Sequence, residues 1–202
     1  MGPEIARREL ARGLAACLLL PLTGGAQAFD LPELMSLLAR RKSGEARFTE
    51  QRFVQGFDAP LESSGTLAFT APDRFERRTL QPRAEAMVVD GNTLTLTRSG
   101  RSRQLVLDAT PELQPLVEAL RGTLSGNGAV LSRYFRSALS GSAEQWTLEL
   151  RPLQTRIGES LRSLRLAGRR DELVRVEMDF AGGDRSVMTI VPRAAPGPAS
   201  SP

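Results

Sequence analysis

The stretch GTLAFTAPDRFERRTLQPRAEAMVVDGNTLTLTRSGRSRQLVLD, residues 65–108, repeatedly alternates large apolar residues with small or polar ones. Leu67 and Phe69 alternate with threonine and alanine, and Leu94 and Leu96 alternate with threonine. A period of two places every second side chain on the same face of a strand. The stretch therefore predicts antiparallel strands with one apolar and one polar face. Such an apolar face must be covered by another layer, by curvature of the sheet, or by a ligand.

Similar alternation before and after this stretch predicts about ten strands in a single, strongly curved antiparallel sheet, which forms an unclosed barrel. The Asp90-Gly91 and Ser99-Gly100 pairs between alternating runs are typical of tight hairpins. Phe48 and Phe53 of the first strand are an odd number of positions apart, so we expect them on opposite faces unless a bulge intervenes. The expected strands cover residues 46–55, 61–70, 74–79, 84–89, 93–98, 101–107, 144–151, 160–167, 174–180 and 186–192.

Helices are predicted before the sheet and in its middle, so the fold class is α+β, mainly β, with an N-terminal helix and a helical lid. The first helix is expected to begin after Asp30 as the N-cap and to end near Lys42. The lid begins after Thr110 as the N-cap, and its two helices are separated by Gly126-Asn127-Gly128. Its apolar residues are Leu113, Leu116, Val117, Leu120 and Leu124, followed by Val130, Leu131, Tyr134, Phe135 and Ala138. The lid either plugs the barrel as fixed core or opens at Gly122 and the glycine break.

Residues 1–28 have the composition of a signal peptide. Three arginines precede a short apolar core from Leu14 to Leu22, and Ala26 and Ala28 supply small residues before a cleavage point. We expect cleavage after Ala28 and residence in the periplasm, with an uncleaved anchor as the alternative. Residues 29–193 then form one domain. Residues 194–202 contain only alanine, proline, glycine and serine, and we expect a disordered tail.

Missing residue types exclude most catalytic chemistry. The chain has no histidine, and its one cysteine, Cys17, lies in the predicted leader. Serine–histidine and cysteine–histidine nucleophiles and histidine or thiolate metal sites are therefore excluded. Carboxylate pairs such as Glu45 with Glu50 are more typical of surface ion pairs. The net charge is only +4 and aromatic residues are few, which disfavours nucleic-acid binding. We predict that the chain is not an enzyme and has no catalytic residue, metal site or cofactor.

Three segments in order, ARFTEQ (46–51), GTLAFTAPDRFER (65–77) and VVDGNTL (88–94), follow the predicted capped helix. In sequence and element order the chain resembles the periplasmic outer-membrane lipoprotein carriers called LolA, over essentially all of its length after the leader. The resemblance implies an unclosed barrel whose apolar cavity shields the acyl chains of a lipoprotein or lipid between the inner and outer membranes. It also implies a monomer that receives cargo from an inner-membrane releasing transporter or exporter and delivers it to an outer-membrane acceptor.

The chain departs from the family pattern at two positions. Ala71 stands where the carriers have an arginine that ties the lid shut, and Arg77 stands where they have a tryptophan. Arg74 and Arg77 are therefore the candidates for a lid latch. The chain is more similar to the divergent LolA-like branch associated with acyl-lipid or aryl-polyene synthesis than to the housekeeping carrier. Its cargo is accordingly either a lipid or a lipoprotein.

Apolar groups on the predicted inner strand faces and lid stripes are the candidates for the acyl-binding cavity. Each methylene hidden from water is worth about 0.8 kcal/mol, so such a surface can hold an acyl chain. The alternatives are that these groups form ordinary core, that the chain is a periplasmic lipid- or lipoprotein-sensing adaptor, or that it is a lipid enzyme, which the missing histidine disfavours. The candidates are Phe48, Leu67, Phe69, Phe75, Met87, Val89, Leu94, Leu96, Leu105, Leu107, Leu116, Leu120, Leu131, Trp146, Leu148, Met178 and Phe180.

Overall fold

The computed structural model describes residues 29–111 and 113–193. The expected signal peptide, residues 1–28, and the expected tail, residues 194–202, lie outside the described residues. Over the described ranges, none of the helices is both long and apolar enough to span a membrane. Those same ranges hold no cluster of three or more histidine, cysteine, aspartate or glutamate side chains that could bind a metal ion.

Within the described residues, eleven strands form one antiparallel sheet that does not close into a barrel. This confirms the predicted curved-sheet class, with one strand more than the ten expected. The strands are β1 Ser43–Phe53, β2 Leu61–Thr70, β3 Arg74–Gln81, β4 Glu85–Asp90, β5 Thr93–Arg98, β6 Arg101–Val106, β7 Phe135–Ser142, β8 Gln145–Pro152, β9 Leu161–Arg169, β10 Glu172–Phe180 and β11 Arg185–Pro192.

The strand order across the sheet is β6-β5-β4-β3-β2-β1-β11-β10-β9-β8-β7. The chain thus builds one meander outward from the centre, crosses from edge strand β6 to edge strand β7, and builds a second meander back. The first and last strands pair in the middle, where Phe48 lies opposite Ile190. The crossing segment holds two helices, α2 Gln114–Ser125 and α3 Gly128–Tyr134, so this topology carries the helices from one edge of the sheet to the other.

The N-terminal helix, α1 Leu31–Leu38, begins as predicted. The Asp30 carboxylate accepts a hydrogen bond from the backbone N–H of Glu33 at 2.9 Å, which satisfies one of the free donors at the helix start. The helix ends at Leu38 and not near Lys42. Leu34, Met35 and Leu38 are buried against the sheet, so this short helix is held mainly by packing.

Two details of the predicted lid are wrong. Thr110 does not cap α2, because its hydroxyl donates to the carbonyl of Val106 at 3.0 Å, and the helix begins three to four residues later with Pro115 in its first turn. Phe135 and Ala138 lie in β7 and not in the second lid helix. Pairing along the whole length of β8 outweighs the local helical pattern there. A further short helix, α4 Thr155–Gly158, was not predicted.

The glycine break between the lid helices is a tight turn packed against α1. Gly126 has a φ of +69°, and the N–H of Asn127 donates to the carbonyl of Gly122 at 2.7 Å. A Cβ atom on Gly126 would lie 2.2 Å from the carbonyl oxygen of Met35, so only glycine fits this contact. Gly122 lies within α2, not at its end.

The buried side chains form two separate clusters on the same side of the sheet. The larger cluster joins α1, α3 and Ala119 of α2 to β1 and β7–β11, and it includes Trp146, Leu148, Leu164 and Leu166, each at most 1% exposed. The smaller cluster joins the first part of α2 to β4–β6 through three buried residues, Val89 of β4, Leu94 of β5, and Leu107 in the short 3-10 turn directly after β6.

Candidate functional site

Strand pairing places the predicted cavity residues of the sheet on one common face, which we call the inner face. Residues that lie directly opposite each other on neighbouring strands point to the same face of the sheet, and successive residues along each strand alternate between the two faces. Phe48 is buried on the inner face, whereas Phe53 is 43% exposed on the outer face, as their odd spacing predicts. The predicted residues on the inner face are Phe48, Leu67, Phe69, Phe75, Met87, Val89, Leu94, Leu96, Leu105, Trp146, Leu148, Met178 and Phe180.

An apolar cavity lies between α2 and the inner face of the central strands, at the junction of the two clusters. It encloses about 700 Å³ of atom-free space, including its open mouth. The helix wall includes Leu116, Leu120 and Leu124, and the only charged group among the described lining residues is Arg77. The sheet wall consists of Leu67, Phe75, Met87, Leu164, Leu173, Val176, Met178, Met188 and Ile190.

Two smaller pockets adjoin the cavity along the same face. One is lined by Phe69, Phe75, Met87 and Val89 of the sheet together with α2. The other extends toward the α1–β1 connection, where the Arg41 guanidinium donates to Asp171 at 3.0 Å and to Glu172 at 2.8 Å. These contacts tie the α1–β1 connection to the β9–β10 turn at this end of the cavity.

The predicted residues divide between cavity and core. Eight of them line the cavity or the adjoining pockets: Leu67, Phe69, Phe75, Met87, Val89, Leu116, Leu120 and Met178. The others belong to the packed clusters without lining these spaces: Phe48, Leu94, Leu96, Leu105, Leu107, Leu131, Trp146, Leu148 and Phe180. Sequence reasoning missed further lining residues, Leu124, Leu164, Leu173, Val176, Met188 and Ile190. For the missed residues on strands, the alternation of apolar and polar residues was the signal that could have identified them.

Arg77 lies on the inner face and is bound within a buried polar group. Its guanidinium donates to the Glu50 carboxylate at 2.5 Å and lies over the Phe48 ring, 4.6 Å from the centroid. Glu50 also accepts hydrogen bonds from the hydroxyls of Ser186 at 2.5 Å and Ser63 at 3.2 Å. Burial alone would raise the pKa of Glu50, but the Ser186 hydrogen bond, the charge of Arg77 and the remaining hydrogen bonds hold that pKa below its usual value.

Arg74, the other predicted latch candidate, lies on the outer face. It is an odd number of positions from Arg77, and its guanidinium pairs with the Asp90 carboxylate at 2.5 Å. Since α2 packs on the inner face, Arg74 is placed away from the lid helices.

A third arginine, which sequence reasoning missed, bridges the lid and the sheet. Arg121 of α2 donates to the carbonyl oxygen of Gly91 in the β4–β5 turn at 2.5 Å and to Glu118 at 3.1 Å. Its Nε lies buried without a hydrogen-bond partner, which makes the arrangement less favourable than a fully satisfied one. The Glu118–Arg121 spacing was visible in the sequence, but the carbonyl partner lies 30 positions away.

A sequence comparison matches residues 23–200 to a family described as outer membrane lipoprotein carrier protein LolA-like. No curated protein sequence matches the chain significantly.

Several solved structures are similar to the chain. One is a LolA superfamily protein from Nitrosomonas europaea, with 12% identity, a TM-score of 0.44, and coverage of 82% of this chain and 93% of that one. A DUF1329 family protein from Desulfovibrio piger has 12% identity, a TM-score of 0.44, and coverage of 84% and 92%. The MucA/MucB complex from Pseudomonas aeruginosa has 17% identity, a TM-score of 0.44, and coverage of 83% of this chain and 59% of that one. The family assignment rests on the sequence match and not on these structures.

Proposed function

Because the chain belongs to the LolA-like family of outer membrane lipoprotein carrier proteins, we propose that it shelters acyl chains of a lipoprotein or lipid in its apolar cavity during transfer from the inner to the outer membrane. The cavity between α2 and the inner face is the observation that carries the proposal. Its lining is almost entirely leucine, methionine, valine, isoleucine and phenylalanine. Flexible apolar side chains of this kind adapt to an acyl chain and leave no polar group unpaired when it binds.

The energetics fit a carrier. An acyl chain of about sixteen carbons has on the order of 10 kcal/mol of hydrophobic free energy at stake, at about 0.8 kcal/mol per methylene. Such a chain crosses an aqueous compartment only when it is covered. The cavity encloses about 700 Å³ with its mouth included, and movement of α2 would widen the entrance for an acyl chain.

We assign the latch of this lid to Arg121. Its bond to the Gly91 carbonyl connects the middle of α2 to the sheet, and one such hydrogen bond contributes only about 1 kcal/mol. The turn at Gly126 is in close contact with the backbone of α1, so it has little room to act as a hinge. Opening therefore proceeds by α2 moving away from β4–β5 at its N-terminal side, with the turn on α1 remaining in place.

The cellular setting is part of the same proposal. We propose that residues 1–28 are a signal peptide cleaved after Ala28, that residues 29–193 act in the periplasm, and that the chain is not an enzyme. Its partners would be an inner-membrane releasing transporter or exporter and an outer-membrane acceptor. The second function, a lipid- or lipoprotein-sensing adaptor, would use the same cavity but would not hand its cargo on.

Binding of a fluorescent acyl probe to a matched pair of variants tests the cavity. Met87→Glu places a carboxylate on the cavity wall directly opposite Arg77, whose guanidinium can contact it in addition to Glu50. Ala86→Glu places the same group on the outer face of the same strand. We expect Met87→Glu to abolish probe binding and Ala86→Glu to leave it unchanged. Equal binding by both variants, with both folded by circular dichroism, would remove the cavity from the mechanism.

Native mass spectrometry of the exported protein tests the cargo and its transfer. We expect a co-purifying acyl species that moves to acceptor membranes on incubation. An acyl species that stays bound supports the adaptor. Empty protein from every source would contradict both functions. The same spectra give the mature mass, and retention of residues 1–28 would contradict the proposed cleavage.

A further inference from the structure

The inner face carries several charges on the edge strand β6 and on its neighbour β5. Three arginines, Arg98, Arg101 and Arg103, lie there, and we call them the arginine rim. Arg103 is the direct partner of Leu96, which is the direct partner of the cavity-lining Met87. Arg101 lies directly opposite Arg98 on the neighbouring strand. The rim therefore continues the cavity wall outward along the same face.

Two of the three rim arginines have no neighbouring carboxylate partner among the described residues. On this part of the inner face Arg77 is paired with Glu50, and Arg98 is paired with Glu85 at 2.9 Å. Arg101 and Arg103 are exposed and have neither an ion pair nor a side-chain hydrogen bond among residues 29–111 and 113–193. Two guanidinium groups therefore lie free beside the apolar wall.

The distances suit an amphiphilic ligand. Neighbouring strands lie about 4.8 Å apart, so the Cα of Arg103 is about 10 Å from that of Met87 along the ladder. An arginine side chain covers much of that distance. A ligand whose chain fills the cavity would place its polar end within reach of the rim.

A charged edge strand has an ordinary explanation, which is protection against edge-to-edge association. Inward-pointing charge on an edge strand is one form of that protection, so what supports binding here is the position of the arginines beside the apolar cavity wall. On β6 the outward residue between these arginines, Ser102, and the outward residue after them, Gln104, carry no charge. The charge is thus concentrated on the face that leads into the cavity.

We propose that the arginine rim binds the phosphate of an anionic lipid headgroup whose acyl chain occupies the cavity. The guanidinium fork matches phosphate oxygens in a bidentate geometry and forms charge-assisted hydrogen bonds with them. This inference rests on the proposed acyl-binding function and narrows its cargo. The cargo class it indicates is a phosphate-bearing acyl lipid and not a lipoprotein, whose acylated N-terminus carries no phosphate.

The test compares ligands with one identical acyl chain below their micelle-forming concentrations. Lysophosphatidylglycerol, lysophosphatidylcholine and monoacylglycerol compete with the fluorescent acyl probe for the protein. Two charge-assisted hydrogen bonds predict that lysophosphatidylglycerol binds about tenfold tighter than monoacylglycerol. The double variant Arg101→Gln/Arg103→Gln should reduce this preference to within about threefold. The control Arg47→Gln/Arg136→Gln removes the same charge from exposed positions on the outer face and should keep the preference.

Each other outcome is decisive. Equal affinity for the three ligands overturns the arginine rim and leaves the acyl-binding function standing. Failure of all three to displace the probe, with no direct binding, contradicts the acyl-binding function itself. Loss of the preference in the control variant as well shows a long-range charge effect and overturns the rim. Inorganic phosphate that displaces the lipid at equal concentration, or a preference seen only with anionic vesicles, overturns recognition of a single lipid headgroup.

Discussion

The two meanders of the sheet carry the same alternating pattern but end in different physical states. On β8 and β9, the inner residues Leu148, Leu150, Leu164 and Leu166 are completely buried. On β4–β6, Val89 and Leu94 are also buried, but Met87, Leu96 and Leu105, at equivalent inner positions, are only partly buried. The cover makes the difference. The larger cluster receives side chains from α1, α3 and α2, whereas β4–β6 are covered only by Val117 of α2 and by Leu113 just before it.

This contrast shows that the alternation of apolar and polar residues predicts which face of a strand is apolar. It does not predict how completely helices cover that face. A fully covered face is core and contributes stability. A half-covered face stays available to a ligand, at the cost of weaker packing. The cavity lies where the two states meet, under Leu116, Leu120 and Leu124.

The largest expected effect on the free energy of unfolding comes from a substitution in the packed second meander. Leu148→Ala should lower the free energy of unfolding by about 3 kcal/mol, because it removes a fully buried side chain and leaves a void. Leu96→Ala on the open meander should cost about 1 kcal/mol. Urea denaturation measures both. Equal losses would mean that both meanders are packed alike.

The next effect concerns the ion pair between Arg77 and Glu50, on the inner face of the first meander. Arg77→Leu leaves the buried Glu50 carboxylate without its charge partner and should cost about 2 kcal/mol, a value reduced for partial exposure. Arg74→Leu removes an exposed outer-face pair and should cost about 0.5 kcal/mol or less. The double variant Arg77→Leu/Glu50→Gln should recover part of the loss. The same denaturation curves decide whether the inner pair outweighs the outer pair.

Low pH tests the contribution of the buried Glu50 separately, because the pKa of Glu50 is lowered in the folded protein. A lowered folded pKa contributes stability above the unfolded value of about 4.3, and that stability is lost as the pH falls through the folded pKa. Wild type should therefore lose more stability between neutral pH and that acidic range than Glu50→Gln does. Glu45→Gln, at an exposed position, should retain the wild-type slope. Parallel profiles for all three proteins would show that Glu50 does not couple folding to pH.

The smallest expected effect on global stability comes from the lid. Arg121→Ala should cost less than about 1 kcal/mol, since it removes the bond to Gly91 together with a buried, unsatisfied Nε. Its local effect should be larger, with faster amide hydrogen exchange in α2 and unchanged exchange in β8. Arg133→Ala, at an exposed position of α3, serves as the control. Unchanged exchange in α2 would remove Arg121 as the latch.

A reducible cross-link tests whether the open side must move. Cysteines at Leu120 and Phe75, on the helix wall and the sheet wall, introduce the only two thiols of residues 29–202. Cross-linking should block uptake of the acyl probe, and reduction should restore it. Unchanged uptake in the cross-linked protein would make α2 a fixed plug.

Much of the fold was predictable because a period of two determines which face each strand residue occupies. The inner placement of Leu67, Met87 and Leu96 followed from this alone. β7 was not predictable, since Phe135 and Ala138 also fit a helical spacing and only pairing with β8 decides between the two.

The site was less predictable than the fold. Whether an inner leucine is core or cavity wall depends on which distant helix covers it, and so Leu148 and Met87 could not be told apart. The proposed latch was missed because the partner of Arg121 is a backbone carbonyl, which every residue has. Arg74 and Arg77 were distinguishable by face, because their odd spacing places them on opposite sides of the sheet.

The pairing of the first and last strands at the centre of the sheet has a consequence for folding. Each meander consists of hairpins between neighbours in sequence, whose loops are short and quick to close. The β1–β11 seam instead joins residues such as Glu50 and Ser186, which are 136 positions apart. The contacts of this one strand pair must therefore offset the entropic cost of closing that long loop. We therefore expect the seam to be the slowest part of the sheet to assemble, so the rate of folding depends on the centre of the molecule and not on its edges.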